Sequence, residues 1–155
     1  MLKVDLFGLE EGINPIKFSF LGDIPLFRQL DVELADRGTV TGMVDKRDED
    51  LFLFSLSMNI PVNLPCRRCL DVFTVDVKAD FMLVAMRKYS RDIENYKDGE
   101  VLNIDTNQRK IDLGETIREH FLLNLPAHPL CRDSCKGICP GCGAGLNHED
   151  CNCTE

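Results

Sequence analysis

The stretch LFLFSLSMNIPVNLPCRRCLDVFTVDVKADF, residues 51–81, decides the fold because apolar and polar residues alternate along most of it. From residue 52 to residue 64 every even position is apolar, and from residue 55 onward the odd positions are Ser, Asn or Pro. Such alternation predicts a strand with one face on a core and the other in water. Pro61 lacks a backbone donor, which predicts a bulge or an edge position.

A second strand follows the first one directly. Its alternating positions are Phe73, Val75, Val77, Ala79 and Phe81. The two strands together predict a long antiparallel hairpin. Cys66 and Cys69 then lie at the tip of this hairpin, where a bound metal ion can stabilise the turn.

Shorter alternating segments precede the hairpin. Four of them each predict a strand: residues 2–7, 16–20, 30–34 and 40–44. Asp36-Arg37-Gly38 predicts a hairpin turn between the last two of these strands. The charged residues 45–50 are most simply interpreted as a solvated turn.

The region after the hairpin predicts one helix. Residues 87–110 are charged and aperiodic apart from residues 101–104, which predicts a mobile excursion or lid. Asp112 can then serve as the N-cap, with Glu115 at the third helical position, in a capping box. The apolar residues that follow fall four apart on one stripe, at Leu113, Ile117, Phe121 and Leu125. Prolines at positions 126 and 129 end the helix.

These elements predict an α+β fold. We expect mainly an antiparallel β meander, as a sheet or a partial barrel, with one packed C-terminal helix and a zinc-binding, cysteine-rich tail. The expected division is a β-rich domain with the helix at residues 1–130 and the tail at residues 131–155. With 44% apolar residues in 155, the chain can form a packed core without cross-links.

The tail CRDSCKGICPGCGAGLNHEDCNC, residues 131–153, carries six of the eight cysteines. Structural zinc takes four ligands in a tetrahedron, and two cysteines a few residues apart supply half of such a site. Pro140 starts a tight turn, and Gly143 tolerates a positive φ after the second cysteine of its pair. The sequence therefore predicts two zinc ions with four cysteine ligands each: Cys66, Cys69, Cys131, Cys135, Cys139, Cys142, Cys151 and Cys153. Iron–sulfur clusters also use four cysteines, but the Pro-x-Cys-Gly turn favours zinc.

The spacing of the four cysteine pairs favours one grouping. Only residues 136–138 separate the 131/135 pair from the 139/142 pair, so joining both around one metal ion would need a very tight backbone. Eight residues separate Cys142 from Cys151, which is a comfortable loop for one site. The hairpin pair then joins the 131/135 pair. The spacing alone leaves open the alternative that the hairpin pair joins the 151/153 pair.

The net charge and the N-terminal sequence limit the functions that can be expected. The net charge is 18 − 26 = −8, which argues against binding nucleic acid through a general basic surface, so any RNA contact would be local. The N-terminus has no apolar region typical of a signal peptide, and no apolar run reaches membrane-spanning length. We therefore expect a cytoplasmic protein, whose reduced thiols bind metal rather than form disulfides.

The histidines and two arginines are weaker candidates for a functional role. His120 lies beside the apolar stripe of the helix, which favours a structural role. His128 and His148 could replace a ligand, although eight thiols already fill two sites. Arg67-Arg68 could meet a phosphate or could equally compensate the thiolate charge. No H-E-x-x-H, G-x-S-x-G, P-loop or Rossmann pattern occurs, so we expect no catalytic residues and no enzyme.

Three segments resemble the bacterial and plastid YceD family: Pro65-Cys66-Arg67-Arg68-Cys69-Leu70, Ile111-Asp112-Leu113 and CKGICPGCGAGLNHEDCNC at residues 135–153. The resemblance runs from about residue 30 to the end. It implies a role in accumulation of the large-subunit (23S) ribosomal RNA, in a family whose genes often neighbour a zinc-ribbon ribosomal protein. Members with a shortened tail keep the first C-x-x-C and a downstream Cys/His pair, which implies the ligand set Cys66, Cys69, Cys131 and Cys135.

The leading hypothesis is a non-enzymatic zinc-binding factor for accumulation or assembly of the large ribosomal subunit. Its expected partner is a precursor of that subunit, through ribosomal RNA or a ribosomal protein, with no membrane and no small-molecule substrate. A protein-interaction or metal-handling module that serves a zinc-ribbon client is the alternative. A thiol redox sensor is a third class, because bound thiolates can be oxidised and release their metal.

Overall fold

The computed structural model describes residues 2–21, 27, 30, 32–87, 100–151 and 153, and within them the chain forms eight β-strands and one α-helix. A single turn of 3₁₀ helix, Leu6–Gly8, follows the first strand. The strands are β1 Lys3–Asp5, β2 Gly12–Phe20, β3 Glu33–Leu34, β4 Gly38–Lys46, β5 Leu51–Pro65, β6 Val72–Met86, β7 Glu100–Asn103 and β8 Lys110–Asp112, and the helix α1 spans Gly114–Asn124.

The predicted long hairpin is confirmed and forms the centre of the fold. Strands β5 and β6 pair antiparallel over their full length, from Leu51 opposite Met86 to Pro65 opposite Val72. The even positions of β5 are all buried, which is the face that the alternation assigned to the core: Phe52, Phe54, Leu56, Met58, Ile60, Val62 and Leu64.

Pro61 lies inside the sheet, at a point where β5 changes partner on one side. The pairing with β4 stops at Asn59, and the pairing with β3 starts at Val62. The carbonyl of Pro61 accepts the N–H of Ala35, so its nitrogen faces the same break between partners. Pro61 therefore removes no hydrogen bond to β6. The prediction of an edge position holds only locally, because Pro61 lies at the break between β4 and β3, where β5 has an unpaired edge.

The main sheet has the order β2-β4-β5-β6-β7, and β3 pairs with β5 beyond the end of β4. Neighbouring strands are antiparallel except β6 and β7, which are parallel. Strands β1 and β8 form a separate antiparallel pair. The predicted α+β fold is confirmed, and the sheet is open rather than closed into a barrel.

The predicted hairpin between residues 30–34 and 40–44 is wrong. Strand β3 pairs with β5, whereas β4 pairs along its whole length with β2, from Lys46 opposite Gly12 to Gly38 opposite Phe20. The reason is length: β2 offers nine paired residues to β4, and β3 has only two. Asp31, which the alternating pattern included, lies outside the described residues.

Two other expectations are wrong in part. Residues 100–103 form β7 and residues 110–112 form β8, and Ile104 is buried in the core, so this part of the predicted lid is held by the two sheets and the core. Residues 88–99 of that segment lie outside the described part of the chain. In the charged run 45–50, Lys46 belongs to β4 and is buried, because its ammonium group donates to the carbonyl of Leu9 and pairs with Glu49.

The apolar stripe of α1 is confirmed, and it docks the helix on β6. Leu113, Ile117 and Phe121 are fully buried, and Leu125 is half-buried against the same core. The predicted cap is off by one residue: Asp112 belongs to β8, and the N-cap is Leu113. The Asp112 carboxylate nevertheless accepts the N–H of Gly114 at 3.0 Å. Among the described residues, no helix is long and apolar enough to span a membrane.

Candidate metal centres

Two groups of four cysteine sulfurs come together in the structure. The hairpin cluster consists of Cys66, Cys69, Cys131 and Cys135, and the tail cluster consists of Cys139, Cys142, Cys151 and Cys153. Within each cluster all sulfurs lie within 4.8 Å of one another. The spacing left open an alternative in which the 66/69 pair joins the 151/153 pair. This alternative is wrong, because the sulfurs of these two pairs lie in different clusters.

The hairpin cluster joins the tip of the β5–β6 hairpin to the segment after α1. The Arg67 N–H donates to the carbonyl of Pro129 at 2.9 Å, which aligns the incoming chain beside the tip. The Arg68 guanidinium donates to the carbonyls of Asp133, at 3.3 Å, and Cys135, at 3.2 Å. The docked helix and this arginine therefore bring the second cysteine pair to the first.

The two clusters differ in burial. Three sulfur-bearing residues of the hairpin cluster are buried, with Cys66 at 0% exposure, and Phe73 and Leu130 pack beside them. In the tail cluster Cys139 is buried, but Cys142 and Cys153 are exposed. The hairpin cluster is thus part of the protein interior, whereas the tail cluster is open to solvent on one side.

The distances between sulfurs can be compared with those of a tetrahedral zinc site. Four sulfurs at about 2.3 Å from a central zinc ion lie about 3.8 Å from one another. In the hairpin cluster the Cys66–Cys135 and Cys69–Cys131 sulfur distances are 3.8 Å and 3.7 Å. These distances fit one tetrahedral metal ion. In a four-iron cluster each cysteine would bind a separate iron atom, and in a two-iron cluster the cysteines would divide between two iron atoms, so four sulfurs would not surround one centre.

The tail cluster is less regular. The sulfur of Cys151 lies 3.1 Å from that of Cys139 and 3.6 Å from that of Cys142, and the Cys139–Cys153 distance is 3.9 Å. The shortest of these is far above the length of a disulfide bond, about 2.05 Å. All eight cysteines are free thiols. Both clusters are therefore compatible with metal binding.

Each cluster contains the same type of turn. In the hairpin turn the N–H of Leu70 donates to the carbonyl of Cys66 at 3.0 Å, and in the tail turn the N–H of Gly143 donates to the carbonyl of Cys139 at 2.9 Å. The residue after the second cysteine has a positive φ in both, 66° at Leu70 and 78° at Gly143. Glycine adopts this conformation freely, whereas Leu70 is strained.

The turns direct backbone N–H groups at their first sulfur. Arg68 donates to the sulfur of Cys66 and Gly141 donates to that of Cys139, each at 3.4 Å. Hydrogen bonds from the backbone N–H groups, first that of Cys69, lower the pKa of Cys66 to about 6. Burial raises the pKa of its neighbour Cys69 to about 12. The backbone hydrogen bond from Cys142 likewise lowers the pKa of Cys139 to about 6. The first cysteine of each turn therefore favours the thiolate form that a metal ion binds, and binding would displace the remaining protons.

The histidines lie outside both clusters. His120 stacks on Phe81, with ring centroids 3.9 Å apart, as expected for a structural role. His148 pairs with Asp71, Nε2 to Oδ2 at 3.1 Å, and His128 is exposed. Neither replaces a cysteine in a cluster.

Sequence reasoning missed Asn147 as a polar side chain at the hairpin cluster. The amide nitrogen of Asn147 donates to the sulfur of Cys135 at 3.3 Å, although Asn147 belongs to the loop of the tail cluster. Its amide oxygen accepts the N–H of Lys136 at 2.9 Å. No periodicity or spacing in the sequence signals this contact, because it depends on how the tail folds back on the hairpin tip.

Comparison with known proteins points to one family. The family model described as "Large ribosomal RNA subunit accumulation protein YceD" matches residues 54–155. A relative from Arabidopsis thaliana, "Large ribosomal RNA subunit accumulation protein YCED homolog 1, chloroplastic", is 35% identical over 52 residues, which are 34% of this chain and only 16% of the relative. No solved structure matches this chain. The matched residues contain both cysteine clusters and most of the hairpin that carries the first, and the chain belongs to the YceD family.

Proposed function

We propose that this protein is a non-enzymatic, cytoplasmic zinc-binding factor that supports accumulation or assembly of the large ribosomal subunit and its 23S RNA. The observation that carries the proposal is the match over residues 54–155 to a family described by its role in accumulation of the large ribosomal RNA subunit. The name of the plant relative supports it in the same words. The expected partner is a precursor of the large subunit.

The proposed zinc ligands are the eight cysteines, four in the hairpin cluster and four in the tail cluster. The tetrahedral fit of the sulfur distances and the N–H groups directed at Cys66 and Cys139 support this assignment. Catalytic zinc keeps an open coordination position for water or substrate, whereas four thiolates complete the shell. This ligand set supports a structural role for both ions, and it is the reason that we propose no enzymatic activity at either site.

The hairpin tip is the proposed site of contact with RNA. Its two arginines differ in their contacts: Arg68 is held by the carbonyls of Asp133 and Cys135, whereas the exposed side chain of Arg67 contacts no other described residue by a hydrogen bond or ion pair. Arg67 is therefore free to bind a phosphate. A single local contact of this kind agrees with the net charge of −8, which disfavours a broad basic surface.

The test is affinity purification of the tagged protein from its own cells, followed by sequencing of the bound RNA. We expect enrichment of 23S over 16S ribosomal RNA, and a fall in the 23S to 16S ratio in cells that lack the protein. Equal recovery of both RNAs together with an unchanged ratio would contradict the proposal. Arg67→Ala should weaken RNA binding and reduce its logarithmic salt slope by about one, whereas Lys17→Ala on β2 should not.

A second candidate function, delivery of zinc to a zinc-ribbon client, is favoured by the exposure of Cys142 and Cys153 in the tail cluster. Exposed thiolates can exchange a metal ion with an incoming protein more readily than buried ones. Incubation of the zinc-loaded protein with a metal-free zinc-ribbon protein would show it. Transfer faster than spontaneous zinc release supports this role, and transfer at the release rate contradicts it.

A further inference from the structure

The loop that closes the tail cluster touches the hairpin cluster. This loop, residues 143–150, connects Cys142 to Cys151. Asn147 donates a hydrogen bond from its amide nitrogen to the sulfur of Cys135 at 3.3 Å. The next residue, His148, contacts Asp71 just beyond the hairpin turn at 3.1 Å. Two adjacent residues of one cluster's loop thus contact the other cluster and its hairpin.

The position of Asn147 is fixed from the other side by the backbone that follows Cys135. The N–H of Lys136 donates to its amide oxygen at 2.9 Å, and the N–H of Leu146 donates to the carbonyl of Gly137 at 3.0 Å. Both polar atoms of the Asn147 side chain are therefore used, one on a cluster sulfur and one on the backbone. Asparagine meets both demands at once, because its amide carries a donor and an acceptor.

We propose that Asn147 is a positioning residue for the hairpin metal, and that it couples the two metal sites so that each ion strengthens the binding of the other. The inference rests on the proposed metal binding and is independent of the ribosomal role. An N–H donor stabilises a metal-bound thiolate and orients it, and such outer contacts affect metal affinity strongly. The loop that presents Asn147 has one large apolar residue, Leu146, so it cannot order itself by burial and depends on the tail metal.

The coupling must be reciprocal. If the tail metal orders the loop and the ordered loop strengthens the hairpin site, then the hairpin metal must strengthen the tail site by the same factor. Loss of an outer-shell partner typically costs 10–100-fold in metal affinity, so we expect a coupling factor of about tenfold. The burial of the hairpin cluster favours the effect, because Cys66 and Cys135 have little solvent to replace a lost donor.

The test measures zinc affinity by competition with a chromophoric chelator on the full chain. Wild type gives the product of the two dissociation constants, and the single-site variants Cys142→Ser and Cys69→Ser give each site alone. We expect the product of the single-site constants to exceed the wild-type product by about tenfold. A ratio of one, with two ions bound to wild type, would overturn the coupling. A wild type that binds no zinc would instead contradict the proposed metal binding, and the inference with it.

Two further variants keep all eight cysteines and test the role of Asn147. Asn147→Asp preserves the acceptor for Lys136 but replaces the donor with a carboxylate oxygen, and it should reduce the affinity of the hairpin site about tenfold. Glu149→Gln is the control, because the exposed side chain of Glu149 lies in the same loop and makes no hydrogen bond or ion pair with a described residue. Hydrogen exchange provides a second readout. Introduced alone, Cys142→Ser should reduce the protection of residues 67–70. Introduced into Asn147→Asp, it should cause no additional loss there, because the contact that transmits the effect is already absent. Equal losses in both backgrounds would show that Asn147 does not carry the coupling.

Discussion

Removal of one ligand from each cluster should have very different effects on stability, because the two metal ions close loops of different length. Cys69 and Cys131 lie 62 residues apart in the chain, whereas Cys142 and Cys151 lie 9 residues apart. A cross-link stabilises a fold mainly by restricting the unfolded chain, and more so for a longer loop. The chain-entropy relation gives about 4 kcal/mol for the first loop and about 2.5 kcal/mol for the second.

These magnitudes predict the behaviour of Cys69→Ser and Cys142→Ser. For a chain of this size, 1 kcal/mol corresponds to about 2–4 °C of melting temperature, so Cys69→Ser should lower the main transition by roughly 8–16 °C. The loss also leaves three thiols without their metal, of which those of Cys66 and Cys135 are buried. Cys142→Ser should unfold only the tail after about Cys135 and shift the main transition by a few degrees at most, through the contact of Asn147.

The assay is calorimetry of the zinc-loaded variants together with hydrogen exchange. In Cys69→Ser we expect loss of protection at the hairpin tip and at the segment that follows α1. In Cys142→Ser we expect a large loss at residues 139–151 and only a smaller loss at residues 67–70, through the contact of Asn147. Chelation of zinc from wild type should reproduce both patterns together. Equal melting shifts for the two variants, or exposure of the hairpin in Cys142→Ser with a protected tail, would refute the loop-closure argument.

Three other predictions follow from the same structure. Native mass spectrometry of protein prepared with zinc should show two ions per chain, and one ion or the visible absorption of an iron–sulfur cluster would contradict the ligand assignment. Gly143→Ala should release zinc from the tail cluster several-fold faster, because the positive φ of 78° costs an alanine about 1–2 kcal/mol. A steric clash does not contribute, since a Cβ at Gly143 meets nothing within 4 Å. Gly8→Ala is the control: its site is equally open but has no positive φ, so zinc release should be unchanged. Ile117→Ala, at a fully buried position of α1, should lower the free energy of unfolding by about 2–5 kcal/mol in chemical denaturation, and a loss below about 1 kcal/mol would mean that the helix is not docked on the sheet as described.

Strand partners could not be read from the sequence in the N-terminal half. The turn residues Asp36-Arg37-Gly38 suggested a local hairpin, but β4 pairs with the more distant β2. Alternation shows that a segment is a strand and which face it buries, and it carries no information on which other strand completes the ladder. Lys46 illustrates the same limit, because its burial depends on a distant carbonyl, that of Leu9, which accepts a hydrogen bond from its ammonium group.

The sequence by itself determined the β5–β6 hairpin, the buried stripe of α1 and the presence of four cysteine pairs, since each of these is encoded in short-range spacing along the chain. Only the tertiary structure decided that the hairpin pair meets the 131/135 pair, because that contact requires α1 to dock on the sheet and Arg68 to hold the returning chain. It also decided that Asn147 reaches Cys135. Both contacts form between segments distant in sequence, so their geometry depends on the packing of the whole core and not on any local pattern.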